Sequence, residues 1–265
     1  MFLKYSDANA KTEGLYKVPE LKKWLDFGRF TAKVYSLDLL SGHSCPFAKL
    51  CLSKVKLSYD AKTDKVKRKV VDGKDTEIRC FSASQEARLG NVHDRRKQNF
   101  DVLRNCKDSE EMHAAMDRAL PSDSGIVRQH IGGDFFNEQY FVAWLMLAQS
   151  HPETLFYAYT KSLRYWLKNM ALVNSLDNVV LTASRGGRED FLIDKHNLRE
   201  AIVVYSEEQA EKLGLPIDHD DSHAALNGGS FALLVHGTQP AGSEAAKALV
   251  KLKGKGSYSR KKAKV

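Results

Sequence analysis

From residue 125 onward the chain repeats one pattern, a short apolar run bounded by glycine or polar residues followed by apolar positions at helical spacing. Runs at 125–131, 155–160, 178–184, 201–205 and 231–235 predict strands, and stretches 137–150, 162–175, 207–213 and 244–250 predict helices. Upstream, 32–40 alternates and then turns apolar, which predicts one more strand. Val18-Pro19-Glu20-Leu21 places proline at a helix start, which predicts a short capping helix. Two alternating segments, 55–59 and 66–71, flank the turn-rich Asp60-Ala61-Lys62-Thr63-Asp64 and predict a β-hairpin excursion over about 54–79, its charges a solvated face. From 82 to 120 the periodicity is helical, with Met112, Met116 and Leu120 spaced by four on one core-facing stripe. Strands alternating with helices at this spacing predict βαβ units and a mainly parallel sheet. Right-handed crossovers then bring the strands' C-terminal ends, and the loops that leave them, to one side.

A chain of 265 residues with 43% hydrophobic content can bury a full core, so 1–250 reads as one α/β domain. No apolar run approaches the roughly 18 residues that span a bilayer, and Met1-Phe2-Leu3-Lys4-Tyr5-Ser6 lacks the layout of a secretory signal, so a cytoplasmic location and no membrane partner are expected. The net charge of +8 suggests nucleic acid until it is located. Seven basic and no acidic residues lie in 251–265, leaving 34 basic against 33 acidic elsewhere. The tail is expected to be disordered and to give weak, salt-sensitive contact with phosphates, or else to serve solubility alone.

Four cysteines in this length make no disulfide framework. Two of them, Cys45 and Cys51, flank five residues in the Gly/Pro-marked loop Ser41-Gly42-His43-Ser44-Cys45-Pro46-Phe47-Ala48-Lys49-Leu50-Cys51 that follows the predicted strand over 32–40. Thiolates from a tight loop and a distant segment can hold zinc or an iron–sulfur cluster, with Cys80 and Cys106 as the remaining candidates. The spacing matches no zinc-finger pattern, and four unrelated buried thiols are the plain alternative. Across the same end of the sheet, Gly132-Gly133-Asp134 could bring backbone close to a ligand, with Asp134 accepting hydrogen bonds from an ammonium group. Asp218-His219-Asp220-Asp221 is dense enough to ligate a metal or move protons, or is a solvated turn that caps the next helix.

Ser44-Cys45-Pro46-Phe47-Ala48, the run from Cys80 to Ala87, Gly132-Gly133-Asp134-Phe135-Phe136, the run from Phe156 to Ser162 and the run from His236 to Gly242 together resemble the phage "gene product 88" family, over about 30–245. That resemblance implies a phage origin, and hence the host cytoplasm, more than a reaction. More distantly the layout resembles radical S-adenosylmethionine enzymes, in which three cysteines hold a [4Fe–4S] cluster and a Gly-Gly-acid turn contacts the amino group of S-adenosylmethionine. This second resemblance implies an incomplete TIM-like (β/α) barrel with mainly parallel strands, with Cys45, Cys51 and Cys80 as ligands and Asp134 in place of the usual glutamate. The usual C-x3-C-x2-C loop is absent, since Cys80 lies 29 positions beyond Cys51, and a ligating Cys106 would close the cluster to S-adenosylmethionine. Two readings follow. One is an iron–sulfur enzyme with Asp134, Lys161 and His219 around the cluster. The other is a nucleic-acid-associated accessory protein whose zinc or iron–sulfur centre is only structural.

Overall fold

The strands alternate, and the alternation sorts the core into two layers. In the computed structural model, which describes residues 2–27 and 30–252, Leu37, Val127, Phe156 and Leu181 face one layer while Val34, Ile126, Tyr157 and Val180 face the other. The elements run β1 (Ser6–Asp7), two 3-10 turns (Thr12–Lys17 and Pro19–Leu21), α1 (Lys22–Leu25), β2 (Lys33–Leu37), β3 (Ser53–Asp60) and β4 (Lys65–Asp72). Three helices follow, α2 (Phe81–Arg88), α3 (Gly90–Arg104) and α4 (Ser109–Ala119), then β5 (Ser124–Gln129), α5 (Glu138–Ser150), β6 (Leu155–Thr160), α6 (Leu163–Lys168), α7 (Met170–Asn174) and β7 (Val179–Ser184). The chain continues as α8 (Phe191–His196), β8 (Glu200–Val204), α9 (Glu207–Lys212), α10 (Ser222–Ala225), β9 (Phe231–Leu234) and α11 (Glu244–Lys251).

Seven strands form one sheet in the order β1-β2-β5-β6-β7-β8-β9, with β1 antiparallel at one edge and the other six parallel, while β3 and β4 pair antiparallel as a separate hairpin. The order advances steadily from β2 to β9, yet among the described residues no pairing joins β9 back to β1 or β2. The fold is therefore mixed α/β with a mostly parallel open sheet, a coarser architecture than the barrel expected from sequence. One layer is built on α5, whose Tyr140, Phe141, Trp144, Leu145 and Leu147 are all buried. On the other side Leu15, Leu21 and Leu25 from the N-terminal turns, with Ala224 and Ala225 of α10, cover the sheet.

The periodic stretch 82–120 is three helices. Leu89 is extended, which ends α2, and Asp108 starts α4 anew by accepting from the Glu111 N–H at 2.9 Å. The 162–175 helix likewise breaks at Asn169, whose side-chain amide donates to the Tyr165 carbonyl at 2.9 Å. The basic tail from 253 onward lies outside the described residues.

Candidate functional site

All six parallel strands point their C-terminal ends at one cavity of about 420 Å³. Its wall takes Cys45 and Cys51 from the loop after β2, His130 to Asp134 after β5, Lys161 after β6, Ser184 to Gly186 after β7, Tyr205 after β8 and His236 after β9. Cys80, at the start of α2, lines it too. The C-terminal ends of parallel strands are where α/β sheets gather ligands, because the loops there are free to vary while the strands hold them in place.

Backbone contacts hold the cysteine loop. Gly42 sits at φ +69°, and a β-carbon there would meet the Ser53 carbonyl oxygen at 2.3 Å, so only glycine lets the loop lie against the hairpin base. The Gly42 N–H donates to Cys45 Sγ at 3.3 Å. Farther along, Lys49 and Leu50 N–H donate to the Gly186 carbonyl, and the Leu50 carbonyl accepts from Glu77 and Ile78, two residues short of Cys80. The loop thus zips the segment before α2 onto the loop after β7.

A second clamp holds Cys80. Gln239 accepts from the Arg79 N–H at 2.8 Å and donates to the Arg79 carbonyl at 3.0 Å, while the His236 ring packs at a tilt against Phe81 with centroids 4.6 Å apart. The His236-Gly237-Thr238-Gln239 motif therefore holds the segment that carries Cys80. Behind the loop, Glu86 and Arg96 pair at 3.2 Å, and Glu86 accepts from Ser41 N–H and Oγ at 3.1 and 2.7 Å. Gly133, at φ +97°, would bring a β-carbon within 2.6 Å of Ser44 Oγ. Its smallness serves packing of the turn against the cysteine loop.

The thiols share one electrostatic environment. Burial pushes the Cys45 thiol well up, with the negative charges of Asp134 and of the Cys80 and Cys51 sulfurs adding to it. Burial and then Cys51 push Cys80 up to about 11, and the first N–H groups of α2, from Ser82 and Ala83, hold back part of that rise. Left to themselves these groups stay protonated, and a bound cation is what would hold them as thiolates. The Gly42 N–H and the α2 terminus, aimed at sulfur, suit a donor set of that kind. Among the described residues, no three His, Cys, Asp or Glu side chains are grouped to hold a metal ion. Cys45, Cys51 and Cys80 line the same cavity.

Asp134 is buried with Oδ1 accepting from Phe135 N–H at 2.8 Å and Thr160 Oγ1 at 2.7 Å, and Oδ2 accepting from Lys161 N–H at 2.8 Å. Burial outweighs these donors and lifts the carboxyl to about 6. The folded chain then binds the proton more tightly than the unfolded one, so what this group contributes to stability is lost as pH rises from about 3.9 to about 6. We expect an infrared carbonyl band of a protonated acid at about pH 5 that vanishes by about pH 7 and is missing in Asp134→Asn. A band that persists in that variant would assign the proton elsewhere.

Of the remaining sequence candidates, Lys161 lines the cavity, but its ammonium donates to Ser184 O, Ser184 Oγ and Arg185 O at 2.7 to 2.9 Å and so pins the loop after β7. His219 is not beside the cysteines. It is exposed in a separate shallow depression beside α9, because the turn after Ile217 carries it outward. Cys106 is also apart, at the end of α3, where its thiol donates to the Val102 carbonyl at 3.3 Å and packs on the α4–α5 side of the core. Arg128 and His130 were not singled out in the sequence, and Asp221 was read only as part of the polar turn beside His219. Arg128 lines the cavity and lies over Tyr159 at 4.9 Å, while Asp221, fully buried, takes Lys11 at 2.6 Å, Arg128, and the hydroxyls of Tyr157 and Tyr159 at 3.0 and 3.1 Å. His130, at φ +70°, is pulled down to about 3 by burial and by Arg128, and its Nδ1 finds no hydrogen-bond partner among the described residues. Arg128-Gln129-His130 at the end of an otherwise apolar buried strand was the available signal, since parallel strands covered on both faces rarely carry three polar residues without a task.

The fold and site define an α/β protein with a thiol-lined cavity at the mouth of a parallel sheet. The model of the family described as Gene product 88 matches residues 2–253, and the chain belongs to that family. No curated protein and no solved structure matches it.

Proposed function

We propose that Cys45, Cys51 and Cys80 hold a [4Fe–4S] cluster at the mouth of the sheet, and that the chain is a redox or radical-type enzyme acting on a ligand in the adjoining cavity. The observation that carries this reading is the convergence of three thiols, two from the loop after β2 and one from the start of α2, on a cavity with room beside them, while the fourth cysteine lies elsewhere. Cys thiolates are the ligands that hold such clusters, and Cys45, Cys51 and Cys80 all line the cavity. With Cys106 excluded, three ligands leave one iron open to a small molecule, and S-adenosylmethionine is the candidate the Gly132-Gly133-Asp134 turn suggests. The cluster would supply an electron to what binds there.

The chain's own residues would do the rest. Asp134 presents a buried carboxyl to the ligand, His130 offers a neutral ring nitrogen at the wall, and Arg128 with Tyr159 gives a cationic and aromatic flank. The steady strand order from β2 to β9 is also that of a barrel's staves, and an incomplete barrel is part of the proposal. A purely structural centre in an accessory protein would have no need of the open volume beside it. The cluster implies a reducing compartment such as host cytoplasm, and among the described residues no helix is long and apolar enough to cross a membrane.

Anaerobic purification with iron and acid-labile sulfide analysis tests this, with about four of each expected per chain. Zinc without sulfide would overturn the cluster. An electron paramagnetic resonance spectrum of the reduced protein that changes on adding S-adenosylmethionine is expected, and an unchanged one would remove that molecule while leaving the cluster.

A further inference from the structure

The β3–β4 hairpin carries a charge pattern that the cavity does not explain. Cross-strand partners share a face, and the register pairs Lys54 with Val71, Lys56 with Lys69, Ser58 with Lys67 and Asp60 with Lys65. One face therefore holds Lys54, Lys56, Lys65, Lys67 and Lys69 with a single carboxylate, Asp60, which is taken up by Lys67 at 2.5 Å. Lys56 and Lys69 stand directly opposite one another and both are exposed, an arrangement that costs stability in isolation. Among the described residues, no ion pair reaches Lys54, Lys56, Lys65 or Lys69. On the other face Val55 and Val70 pack at the base, while Leu57, Tyr59 and Val66 stand 49%, 65% and 50% exposed toward the tip. Residues 53–72 hold seven basic and three acidic side chains in a body that is otherwise near neutral.

Lysines on edge strands also deter strand pairing between copies. That role does not need them all on one face with large apolar groups left bare on the other. Two strands of eight residues make a ribbon of about 27 Å. Its base is anchored, since Arg79 holds the Asp72 carboxylate at 3.0 Å and the Cys80 N–H donates to Ser53 Oγ at 3.2 Å. A rigidly rooted two-stranded ribbon with one cationic face fits the major groove of B-form DNA, which admits such a ribbon, whereas the deep, narrow groove of A-form RNA does not. We propose that the β3–β4 arm binds double-stranded DNA, with its lysine face toward the groove and the flanking phosphates. This surface is separate from the cavity and stands whether or not iron is bound.

The test is fluorescence anisotropy of a mixed-sequence duplex titrated with the full chain from about 50 to about 200 mM salt. Lys56→Glu/Lys69→Glu should weaken binding at least about tenfold and make the slope of log affinity against log salt shallower by about 2. Lys56→Glu alone places an acidic side chain opposite Lys69, which favours the hairpin, so a loss of binding with an unchanged melting temperature would come from charge and not from unfolding. Full retention of affinity and slope in the double variant would overturn the proposal and leave the attraction to other basic segments. Equal competition by the single strand, or preference for vesicles of anionic lipid, would overturn it as well.

Discussion

Alanine at Cys45, Cys51 or Cys80 is expected to strip the anaerobically purified protein of most of its iron and sulfide, while Cys106→Ala keeps the full complement. The asymmetry comes from geometry. The first three line one cavity, and neighbouring sulfurs add to the rise at Cys45 and Cys80, whereas the Cys106 sulfur is committed to the Val102 carbonyl one turn back on α3. The thiols shed protons to bind metal, so metal loading should improve as pH rises through the neutral range, and most steeply for a site as buried as this one. Cys106→Ala changes only a half-buried contact at a helix end, and its effect on stability should stay within about 1 kcal/mol. Gln239→Ala is an informative intermediate case, because it removes the clamp on the Arg79 peptide without touching a ligand. Partial loss of iron in that variant, between parent and Cys80→Ala, is the expected result. If Cys80→Ala retained parental iron and sulfide, the ligand assignment would be wrong.

The strands were legible because parallel strands buried on both faces are short, apolar and spaced by helices, and 155–160, 178–184 and 231–235 meet that description almost residue for residue. Their common direction alone implies that the cysteine loop and Gly132-Gly133-Asp134 lie at one end of the sheet. Helix ends were less legible. Periodicity persists through 82–120, and only Asp108 as a local cap and the extended Leu89 reveal the breaks. The packing partner of Gly133 was not legible, since it faces Ser44, about 90 positions away. Long-range pairing also hid Asp221. In sequence it belongs to a polar turn beside His219, and only the fold sends one side chain inward to the cations and the other outward to solvent.

Asp221→Ala should cost about 3–5 kcal/mol, the usual penalty for removing one partner from a buried ion pair. Burial alone would push this carboxyl up, but Arg128 and Lys11 more than offset that and hold it well below the ordinary carboxylate range, with Tyr157 helping. Because its folded value is depressed, the stability it contributes is present above the unfolded value of about 3.9 and is lost as pH falls below it. Urea denaturation of the parent should therefore show falling stability on acidification below about pH 4, whereas Asp221→Asn starts lower and gives up less over the same range. The backbone reinforces the cost. Asp221 occupies φ +64°, a left-handed conformation that a non-glycine residue adopts here to aim its carboxylate at Lys11 and Arg128, so alanine keeps the strain and loses its purpose. Arg128 also lines the cavity, and removing its carboxylate should leave the ligand-facing wall less ordered even where the chain remains folded. A variant within about 1 kcal/mol of the parent would mean that Lys11 and Arg128 reach water or other partners once the carboxylate is gone, and that the cluster is not a closed buried ion pair.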